Sequence, residues 1–425
     1  MLTKELKDLT LNNHLKVTTD TRKLKKGDYY IPVVGEKYDG HSYVSKALEL
    51  GAAGILEEQD LYELVKIKLD YIKPKIVGIT GSSGKTTVTR FLHQLLSTTH
   101  KTCLGSLNTK LGLSMNVIND MNLDCEIFIA EMGMDREHEL FETTELFNTD
   151  VAVITTINEA HLSKLKTLDN IVKAKFEISS HMKPNSALVL NADNVLTTSY
   201  SNPYIVTNLI WFGIETSLAS VTPGLFDVKV LRVPGKHNLY NVLAALSAIY
   251  GLGFGLDTYI TKLGELNLPK GRLNLLQGIN GSKILDDTYN ANPESTCAAL
   301  DVLYETAATR KIVILGDMRE LGDFELPGHI KVAEYLSTNA ISLLITVGEL
   351  GKMVYDNTKI TNKFHIKSSE DFGNLIAQNE ILIQEGDLIL IKGSQGVRME
   401  KITKLLLKFP ETAGEVLVRQ DASWD

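Results

Sequence analysis

The feature that most constrains the fold is a glycine-rich turn between an apolar run and a helical pattern. Residues 80–87 read Thr-Gly-Ser-Ser-Gly-Lys-Thr-Thr and directly follow the β-branched run at 75–79. Glycines in such a turn let backbone N–H groups point at phosphate oxygens, and the next helix adds its positive N-terminal end. Lys85 adds a full charge, and the Thr86 hydroxyl can coordinate magnesium. The predicted phosphate-binding residues are Gly81, Ser82, Ser83, Gly84, Lys85, Thr86 and Thr87.

The helix after this turn is supported by apolar residues at the i, i+3, i+4, i+7 and i+8 positions of one face. These residues are Val88, Phe91, Leu92, Leu95 and Leu96. The turn departs from the standard G-x-x-x-x-G-K-[ST] spacing, because residue 79 is isoleucine. An ordinary turn with a solvated lysine is the alternative interpretation, but the position between a strand and a helix favours phosphate binding.

Composition indicates a globular chain of two or three domains. It has 425 residues, of which 44% are hydrophobic and 23% charged, with a net charge of −8. That charge argues against nucleic acid as the main partner. Cys103, Cys125 and Cys297 form no metal-binding spacing and fit a reducing compartment. The N-terminus lacks a signal core and no stretch could span a bilayer, so we expect a cytoplasmic protein without membrane insertion.

Strand and helix patterns predict an α/β protein of three domains. Residues 1–73 form a small α/β domain, with a helix over 41–50. Residues 74–269 alternate helices, including 167–182, with strands at 75–80, 125–131, 151–157 and 186–190. Residues 270–425 carry strands at 283–287, 311–316, 342–347 and 387–392, and end in a surface tail or a terminal extension from 410. Such alternation indicates mostly parallel sheets that bind ligands beyond the carboxyl ends of their strands.

Three residues of the second domain are candidates for chemistry, although each alone has a simpler interpretation. Glu131 ends an apolar strand, where a carboxylate could hold magnesium or merely be solvated. His161 follows the next strand, and a lone loop histidine is more often a local hydrogen-bonding group. Lys175 lies in a helical pattern, where lysines usually face solvent.

Two polar runs are more informative. Asn238 and Asn241 lie three apart at a helix start, so both can face one ligand edge, although Asn238 alone could be an N-cap. The run Asp286-Asp-Thr-Tyr-Asn-Ala-Asn-Pro-Glu294 follows a strand and is dense in short polar side chains. Such a loop either makes a turn or binds a polar ligand.

Taken together, these motifs resemble the Mur ligase family of ATP-dependent amide-bond-forming enzymes over nearly the whole chain. The shared signals are the turn at 80–87, Glu131, Ala160-His161, Ala174-Lys175 and Gly235-Lys-His-Asn-x-x-Asn241. The resemblance implies a small N-terminal α/β domain, a central P-loop parallel-sheet domain and a C-terminal Rossmann-like α/β domain.

Further motifs resemble one branch of the family, whose members join D-alanyl-D-alanine to a UDP-muramoyl-tripeptide. They are Asp20-Thr-Arg22, Gly27-Asp28, Gly35-Glu-Lys-Tyr-Asp-Gly-His41, the run at 286–294, Leu315-Gly-Asp-Met-Arg-Glu-Leu-Gly322 and Lys392-Gly-Ser-Gln-Gly-Val-Arg-Met-Glu400. The resemblance implies that a substrate carboxylate attacks the γ-phosphate of ATP to give an acyl phosphate. The incoming amine then forms a tetrahedral intermediate, from which phosphate leaves.

The resemblance also implies roles for single residues. Lys85 holds phosphate, and Thr86 and Glu131 hold a first magnesium ion. His161 serves a second metal together with Lys175, which matches the lysine that is carbamylated in this family. Lys85, His161 and Lys175 are therefore the expected catalytic residues.

The remaining implied roles concern the nucleotide and the substrates. Asn238 and Asn241 match the pair near adenine, Arg272 reaches the nucleotide and Asp287 the ribose. The segment at 392–400 would help to hold the amino substrate. The expected substrate-binding residues are Thr21, Arg22, Gly35, Asp39, Gly40, His41, Asn108, Thr109, Asn290 and Asn292. We expect a monomer whose partners are these small molecules.

Other interpretations stay open. Residues 156–158 and 164–167 depart from the family pattern, which leaves room for a ligase that acts on another acid and another amine. A non-catalytic nucleotide-binding or scaffold protein is disfavoured, because the Lys85, Thr86, Glu131, His161 and Lys175 set is retained together. A simple ATPase is disfavoured, because no motif marks a motor or a nucleic-acid surface.

Overall fold

Three β-sheets form in chain order, and each lies within one of the three predicted segments. The computed structural model describes residues 2–35, 38–158, 162–204, 206 and 208–420. Among the residues described, no helix combines the length and apolar character that a membrane crossing requires.

The first segment is a three-stranded parallel sheet with strands in the order β1-β2-β3. Its elements are α1 (Lys4–Leu11), β1 (Val17–Thr18), β2 (Tyr29–Tyr30), α2 (Val44–Glu49), β3 (Gly54–Ile55) and α3 (Glu58–Ile72). Each strand is only two residues long, so the backbone ladder contributes little and the helices must bury the apolar side chains.

The second segment is a six-stranded, fully parallel sheet in the order β5-β6-β4-β7-β8-β9. Its elements are β4 (Lys75–Thr80), α4 (Lys85–Leu96), β5 (Thr102–Gly105), α5 (Lys110–Asp120), β6 (Ile127–Glu131), α6 (Glu139–Leu146), β7 (Val151–Ile154), α7 (Leu162–Leu165), α8 (Leu168–Phe176), β8 (Ala187–Asn191), α9 (Val195–Thr198), β9 (Asn208–Phe212), α10 (Lys236–Gly251) and α11 (Asp257–Ile260). The strand that precedes the glycine turn, β4, lies in the interior of the sheet between β6 and β7.

The third segment is a six-stranded sheet in the order β10-β11-β15-β12-β13-β14, in which only β10 is antiparallel to its neighbour. Its elements are β10 (Asn274–Gln277), β11 (Lys283–Asp287), α12 (Pro293–Glu305), β12 (Arg310–Gly316), α13 (Glu325–Leu336), β13 (Leu343–Val347), α14 (Gly351–Asn357), β14 (Lys363–Ile366), α15 (Phe372–Ala377), β15 (Asp387–Lys392), α16 (Glu400–Leu406) and α17 (Ala413–Val416). The α/β architecture predicted from the sequence is confirmed.

The hydrophobic cores do not divide as the sheets do. One core joins apolar residues of the first segment, such as Leu61 and Val65, to one face of the second sheet through Val117 and Phe128. The other face of that sheet has its own core around α4 and α10. The third sheet is covered on both faces by separate cores. The first two segments are thus one packing unit, and the third is another.

Side-chain hydrogen bonds strengthen the junction between the first two segments. The Asn119 amide pairs with the Val17 backbone as a neighbouring strand would, with N···Oδ1 and Nδ2···O distances of 2.9 Å each. The buried Lys68 ammonium donates to the carbonyl oxygens of Val117 at 2.8 Å and Ile118 at 3.3 Å, near the end of α5. Carbonyl groups at the end of a helix lack intrahelical partners, so Lys68 satisfies them across the junction.

Several expected elements differ in extent. The helix expected over 167–182 is α8, which becomes a 3-10 turn at Glu177–Ser179. The strand expected at 151–157 ends at Ile154, because the following residues turn to bond the glycine turn instead. The expected surface tail from 410 is wrong for residues up to 420, since Ala413 and Leu417 are buried.

Candidate functional site

The glycine turn lies at the carboxyl end of β4 and is held by the segment that follows β7. The Thr155 hydroxyl donates to the carbonyl oxygen of Ser83 at 2.5 Å, and the Ser82 N–H donates to that of Thr156 at 2.7 Å. Gly81 and Gly84 have φ of 148° and 89°, values that disfavour a side chain. A Cβ at Gly81 would lie 2.0 Å from the Thr155 hydroxyl oxygen. The turn is therefore a closely packed backbone cradle at the start of α4.

Two side chains beside this cradle carry the expected polar groups. The Lys85 ammonium donates to the carbonyl oxygen of Gly81 at 2.7 Å, across the loop. Thr86 donates its hydroxyl to Glu131 Oε1 at 3.2 Å, and Glu131 is the last residue of the neighbouring strand β6. Burial lowers the pKa of Lys85, while the charge of Glu131 opposes that shift. A cation, a hydroxyl and a carboxylate thus meet at the start of one helix.

The two asparagines of α10 form a buried pair against the cradle. Asn238 donates to the carbonyl oxygen of Pro234 at 2.7 Å, and Asn241 donates to Asn238 Oδ1 at 3.1 Å. A Cβ on Gly84 would lie 2.5 Å from Asn241 Oδ1, so the amide rests directly on the turn. The N-cap of α10 is Gly235, which removes the simple N-cap interpretation of Asn238.

The third segment contributes the opposite wall. The Arg272 guanidinium stacks 4.2 Å from the ring centre of Tyr289, and its buried Nε has no hydrogen-bond partner among the residues described. Asp287, at the end of β11, pairs with the buried Lys392 ammonium at 2.6 Å. Lys392 also donates to the carbonyl oxygen of Asn290 at 2.9 Å. One Asp287 oxygen is therefore engaged by Lys392, which orients the carboxylate at the wall.

Both walls enclose a cavity of about 410 Å³. Its lining includes Ser82, Ser83, Gly84, Lys85, Thr86, Thr87, Asn108, Glu131, Asn238, Asn241, Arg272, Asp287, Asn290 and Asn292. Asn292 caps α12 and places its Nδ2 3.5 Å from the Ser83 hydroxyl, which links the two walls. Motifs that lie far apart in the sequence are thus brought to one cavity whose floor is the backbone cradle.

Lys175, on α8, does not line the cavity and is only 1% exposed. Burial lowers its pKa well below the usual lysine value, and the charge of Lys85 lowers it further, while Asp135 opposes the shift. No hydrogen bond of the Lys175 ammonium is found among the residues described. The expected partner His161 lies outside the described residues.

The residues at the cradle fit a magnesium ion that is held partly by the protein and partly by the phosphate oxygens of a bound molecule. Thr86 and Glu131 supply two oxygen donors at the cradle, and magnesium usually takes one or two carboxylates together with phosphate oxygens and water. Within the described part of the chain, no group of three or more histidine, cysteine, aspartate or glutamate residues could hold a metal by itself.

The expected substrate residues of the first segment form a second group outside this cavity. Arg22 pairs with Asp20 at 2.8 Å, and the Asp39 carboxylate accepts from the His41 ring at 2.8 Å. Tyr30 donates to the carbonyl oxygen of Gly40 at 3.0 Å, which holds the loop against β2. Thr21, Gly35, Asp39, Gly40 and His41 follow β1 or β2, so this group lies at the carboxyl edge of the first sheet.

Asn108 and Thr109 differ in what they can do. Asn108 lines the cavity, and its carbonyl oxygen accepts from the Gly133 N–H at 2.7 Å. The Thr109 hydroxyl instead accepts from the Gly112 N–H at 3.1 Å as the N-cap of α5, and Thr109 does not line the cavity.

The sequence did not single out other lining residues, which include Thr155, Asn158, His237 and Arg319. Thr155 and Asn158 follow β7 next to β4, so their position after a strand beside the glycine turn was a usable signal. Arg319 lies within the recognised motif at 315–322, but the sequence alone did not single it out. His237 lies between the start of α10 and Asn238. No sequence pattern at this position distinguishes a residue that lines a cavity from a residue on the surface.

Two family models match this chain. Residues 79–249 match the Mur ligase middle domain, and residues 271–395 match the Mur ligase, glutamate ligase domain. The chain is 31% identical to the UDP-N-acetylmuramoyl-tripeptide–D-alanyl-D-alanine ligase of Bacillus subtilis (strain 168), over 93% of each chain. It is 29% identical to the ligase of the same name from Escherichia coli (strain K12), over 94% of each.

A solved structure has the same fold. The MurF ligase from Thermotoga maritima in complex with ADP superposes with a TM-score of 0.79 and 24% identity, covering 97% of this chain and 100% of that chain.

Proposed function

Since this chain belongs to the Mur ligase family, we propose that it joins D-alanyl-D-alanine to UDP-N-acetylmuramoyl-tripeptide, with release of ADP and phosphate. The observation that carries this proposal is the cavity between the second and third segments, which unites the glycine turn with Arg272 and Asp287. The relatives named above support the choice of substrates. We propose that the enzyme acts in the cytoplasm, where it catalyses a step of peptidoglycan precursor synthesis.

The proposed chemistry begins with two anions that must approach each other. The substrate carboxylate attacks the γ-phosphorus of ATP, the bond to the β-phosphate oxygen breaks, and an acyl phosphate and ADP form. Lys85 and the backbone N–H groups of the cradle neutralise phosphate charge, and Arg272 adds a second cation from the opposite wall. The buried Nε of Arg272 supports this role, since it has no hydrogen-bond partner in the described part of the chain and such a donor is costly unless a ligand accepts from it.

In the second step the amine of D-alanyl-D-alanine attacks the acyl carbon to give a tetrahedral intermediate. The amide forms as the C–O bond to phosphate breaks, and the amine proton leaves with the phosphate. Bound magnesium would neutralise phosphate charge as a Lewis acid. Thr86 and Glu131 are the residues that would hold it. Asn238 and Asn241 would face the adenine, and Asp287 the ribose. Asn290 and Asn292 line the same cavity from the third segment and would contact the substrates.

We propose in addition that Lys175 is carbamylated, as the family resemblance implies. The neutral amine of a lysine adds to carbon dioxide and releases a proton, which converts a cation into an anionic oxygen ligand. The lowered pKa of Lys175 supports this step, because only the neutral amine reacts. Together with His161, the carbamate would serve a second metal ion.

The experiment that tests the function is phosphate release from ATP with magnesium, with UDP-muramoyl-tripeptide and D-alanyl-D-alanine present or omitted singly. We expect release that needs both substrates, and a pentapeptide product identified by its mass. Lys85→Ala should lower the rate at least about 100-fold, whereas Lys101→Ala, an exposed lysine of the same segment, should leave it unchanged.

Release that depends on neither substrate, in a protein that still binds ATP, would contradict the proposed substrates. It would favour a ligase of the same family that acts on a different acid and amine. Full activity of Lys85→Ala would contradict the assignment of the cradle itself.

A further inference from the structure

The chain after α16 folds back against the third segment, next to the residues that precede Arg272. Leu407, Ala413 and Leu417 form a small buried cluster against the third sheet. The Lys270 ammonium donates to the carbonyl oxygen of Gly414 at 2.9 Å. A Cβ on Gly271 would lie 3.2 Å from a methyl group of Val418. This C-terminal segment, residues 413–420, therefore packs against the residues that precede Arg272.

Arg419 connects this segment to the loop that follows β11. Its guanidinium donates to the carbonyl oxygen of Tyr289 at 3.2 Å and to that of Thr288. It also donates to Glu400 Oε2 at 3.0 Å. The Arg419 side chain is 5% exposed and Glu400 is fully buried. A charge-assisted fork to three acceptors in a buried setting is a rigid connection.

Helix α16 supplies a second anchor for the same loop. Thr403 donates to Asp286 Oδ1 at 2.8 Å, and Thr288 donates to the same oxygen at 3.0 Å. Glu400, on the same helix, is engaged by Arg398 and Arg419 and does not line the cavity. Glu400, at the end of the segment expected to hold the amino substrate, is thus a support for the loop.

The loop held in this way carries the third segment's wall of the cavity. Tyr289 stacks under Arg272, and its N–H donates to the carbonyl oxygen of Gly271 at 3.1 Å. Asp287 and Asn290 lie on either side of the two carbonyl groups that Arg419 binds. A shift of these carbonyl groups would therefore move the Arg272 and Asp287 side chains together.

We propose that Arg419 is a positioning residue for the nucleotide site, and that the C-terminal segment fixes Arg272 and Asp287 in their binding geometry through the loop at 288–290. The inference rests on the nucleotide-binding part of the proposed function. Arg419 acts through backbone carbonyl groups, so its loss should weaken nucleotide binding without removing any group that faces the cavity.

The test is the affinity of the full chain for ADP with magnesium, measured by calorimetric titration for Arg419→Met and Arg419→Lys. Arg310→Met is the matched control. Arg310 lies in the same segment and also bonds a buried carboxylate, Asp387 at 2.6 Å, and a carbonyl oxygen, that of Leu382 at 2.7 Å. It begins β12, whereas the cavity lies beyond the carboxyl ends of the strands.

We expect Arg419→Met to weaken ADP binding about tenfold or more, the order seen when a supporting residue behind a binding group is lost. Arg419→Lys should lie between it and the wild type, because lysine keeps the charge but cannot bind three acceptors as a fork. In steady-state assays the KM for ATP should rise more than kcat falls. Arg310→Met should lower the thermal midpoint yet keep its ADP affinity within about twofold.

Wild-type affinity of Arg419→Met, or an equal loss in Arg310→Met, would overturn the inference. If Arg419→Met does not fold, wild-type affinity of folded Arg419→Lys would overturn it equally. Failure of the wild-type chain to bind ADP would instead contradict the proposed function, so the two failures are distinguishable.

Discussion

At the scale of single residues, the same side-chain type serves opposite purposes according to its surroundings. Lys68 is buried and donates to carbonyl oxygens at the end of a helix, which is a structural role. Lys392 is buried and pairs with Asp287. Lys175 is equally buried, but the nearest charges that lower its pKa include Lys85. Among the residues described, no hydrogen bond of the Lys175 ammonium is found, which separates Lys175 from the other two and favours a chemical role.

The carbamylation of Lys175 can be measured directly. Carbon-13 bicarbonate should give a carbamate signal in the NMR spectrum of the wild-type protein, and Lys175→Ala should lack that signal. Lys173→Ala is the control, since Lys173 is an exposed lysine on the same helix. We also expect Lys175→Ala to lose most ligase activity, with no recovery when bicarbonate is added. A signal that persists in Lys175→Ala would show that another amine is modified.

Asp286 should make stability depend on pH. Burial raises its pKa to about 7, and its Oδ2 has no hydrogen-bond partner among the residues described. The pKa of an aspartate in an unfolded chain is about 3.9. Between that pH and about 7, Asp286 is therefore protonated in the folded protein and ionised in the unfolded one. Stability from this group is therefore present below about pH 4 and is lost as pH rises towards 7. The upper bound of the effect is about 4 kcal/mol.

Asp286→Asn tests this sign, because asparagine mimics the protonated carboxyl and still accepts from Thr288 and Thr403. Urea unfolding at pH 5 and pH 8 should show the wild type losing more stability than Asp286→Asn between the two values. A parallel loss in both proteins would mean that Asp286 stays ionised throughout.

How far the sequence could identify site residues depended on whether their role is local. Lys85 and Thr86 were predictable, because a glycine turn between a strand and a helix defines their surroundings along the chain. Thr155 was signalled only by its position after a strand, and Arg419 was not predictable at all, since it acts on backbone carbonyl groups that lie far away in sequence. For Glu131, Arg272 and Asp287 the family resemblance supplied the role, and the structure brings them to one cavity without testing that role.

At the scale of elements, long buried strands were the most predictable parts. The strands expected at 283–287 and 387–392 were confirmed at their full extent as β11 and β15. Four further strands, β5, β9, β10 and β14, were missed. They are four or five residues long and only partly buried, so no continuous apolar run marks them. The strands that the pattern predicts at 16–19, 28–34 and 54–57 do form, but each is only two residues long.

The contact between the glycine turn and α10 gives a prediction at this scale. Gly84→Ala places a Cβ 2.5 Å from Asn241 Oδ1 at a φ of 89°, so the cradle must distort. We expect nucleotide binding to be lost. Gly253→Ala is the matched control, because its φ of 86° is equally unfavourable but no atom of the described residues lies within 4 Å of the new Cβ. It should cost about 1 kcal/mol of stability and leave the ADP affinity unchanged.

A weakened affinity in Gly253→Ala would mean that backbone strain alone is transmitted to the site. Equal affinities in Gly84→Ala and the wild type would mean that Asn241 moves aside freely, and that the contact has no functional weight.

At the scale of the whole molecule, the hydrophobic cores divide the chain differently from the sheets. The boundary predicted at residue 73 separates two sheets, but one core runs across it. The boundary predicted at 269 separates regions with their own cores. The cavity lies at this second boundary. Because no core of the described residues is shared across it, we expect the two packing units to move relative to each other more easily than the first two segments can.

This division predicts how isolated fragments behave. Residues 1–73 alone should lack cooperative unfolding, because their apolar residues are left without Val117, Phe128 and the Asn119 amide. Residues 270–425 alone should unfold cooperatively, since both faces of their sheet are covered from within. Circular dichroism during thermal unfolding distinguishes the two. A sharp transition in the 1–73 fragment would mean that the shared core is dispensable.

The Asn119 side chain that completes the edge of β1 also sets an order of events during synthesis. Domains usually fold as they leave the ribosome, the N-terminal one first. Here the first sheet lacks its neighbour until α5 has emerged, about fifty residues after the first domain has been made. In the nascent chain the edge of β1 therefore stays unpaired until α5, a helix of the second segment, has been synthesised. An exposed strand edge can pair with another chain and start aggregation. We therefore expect the nascent chain to depend most on chaperones in that interval.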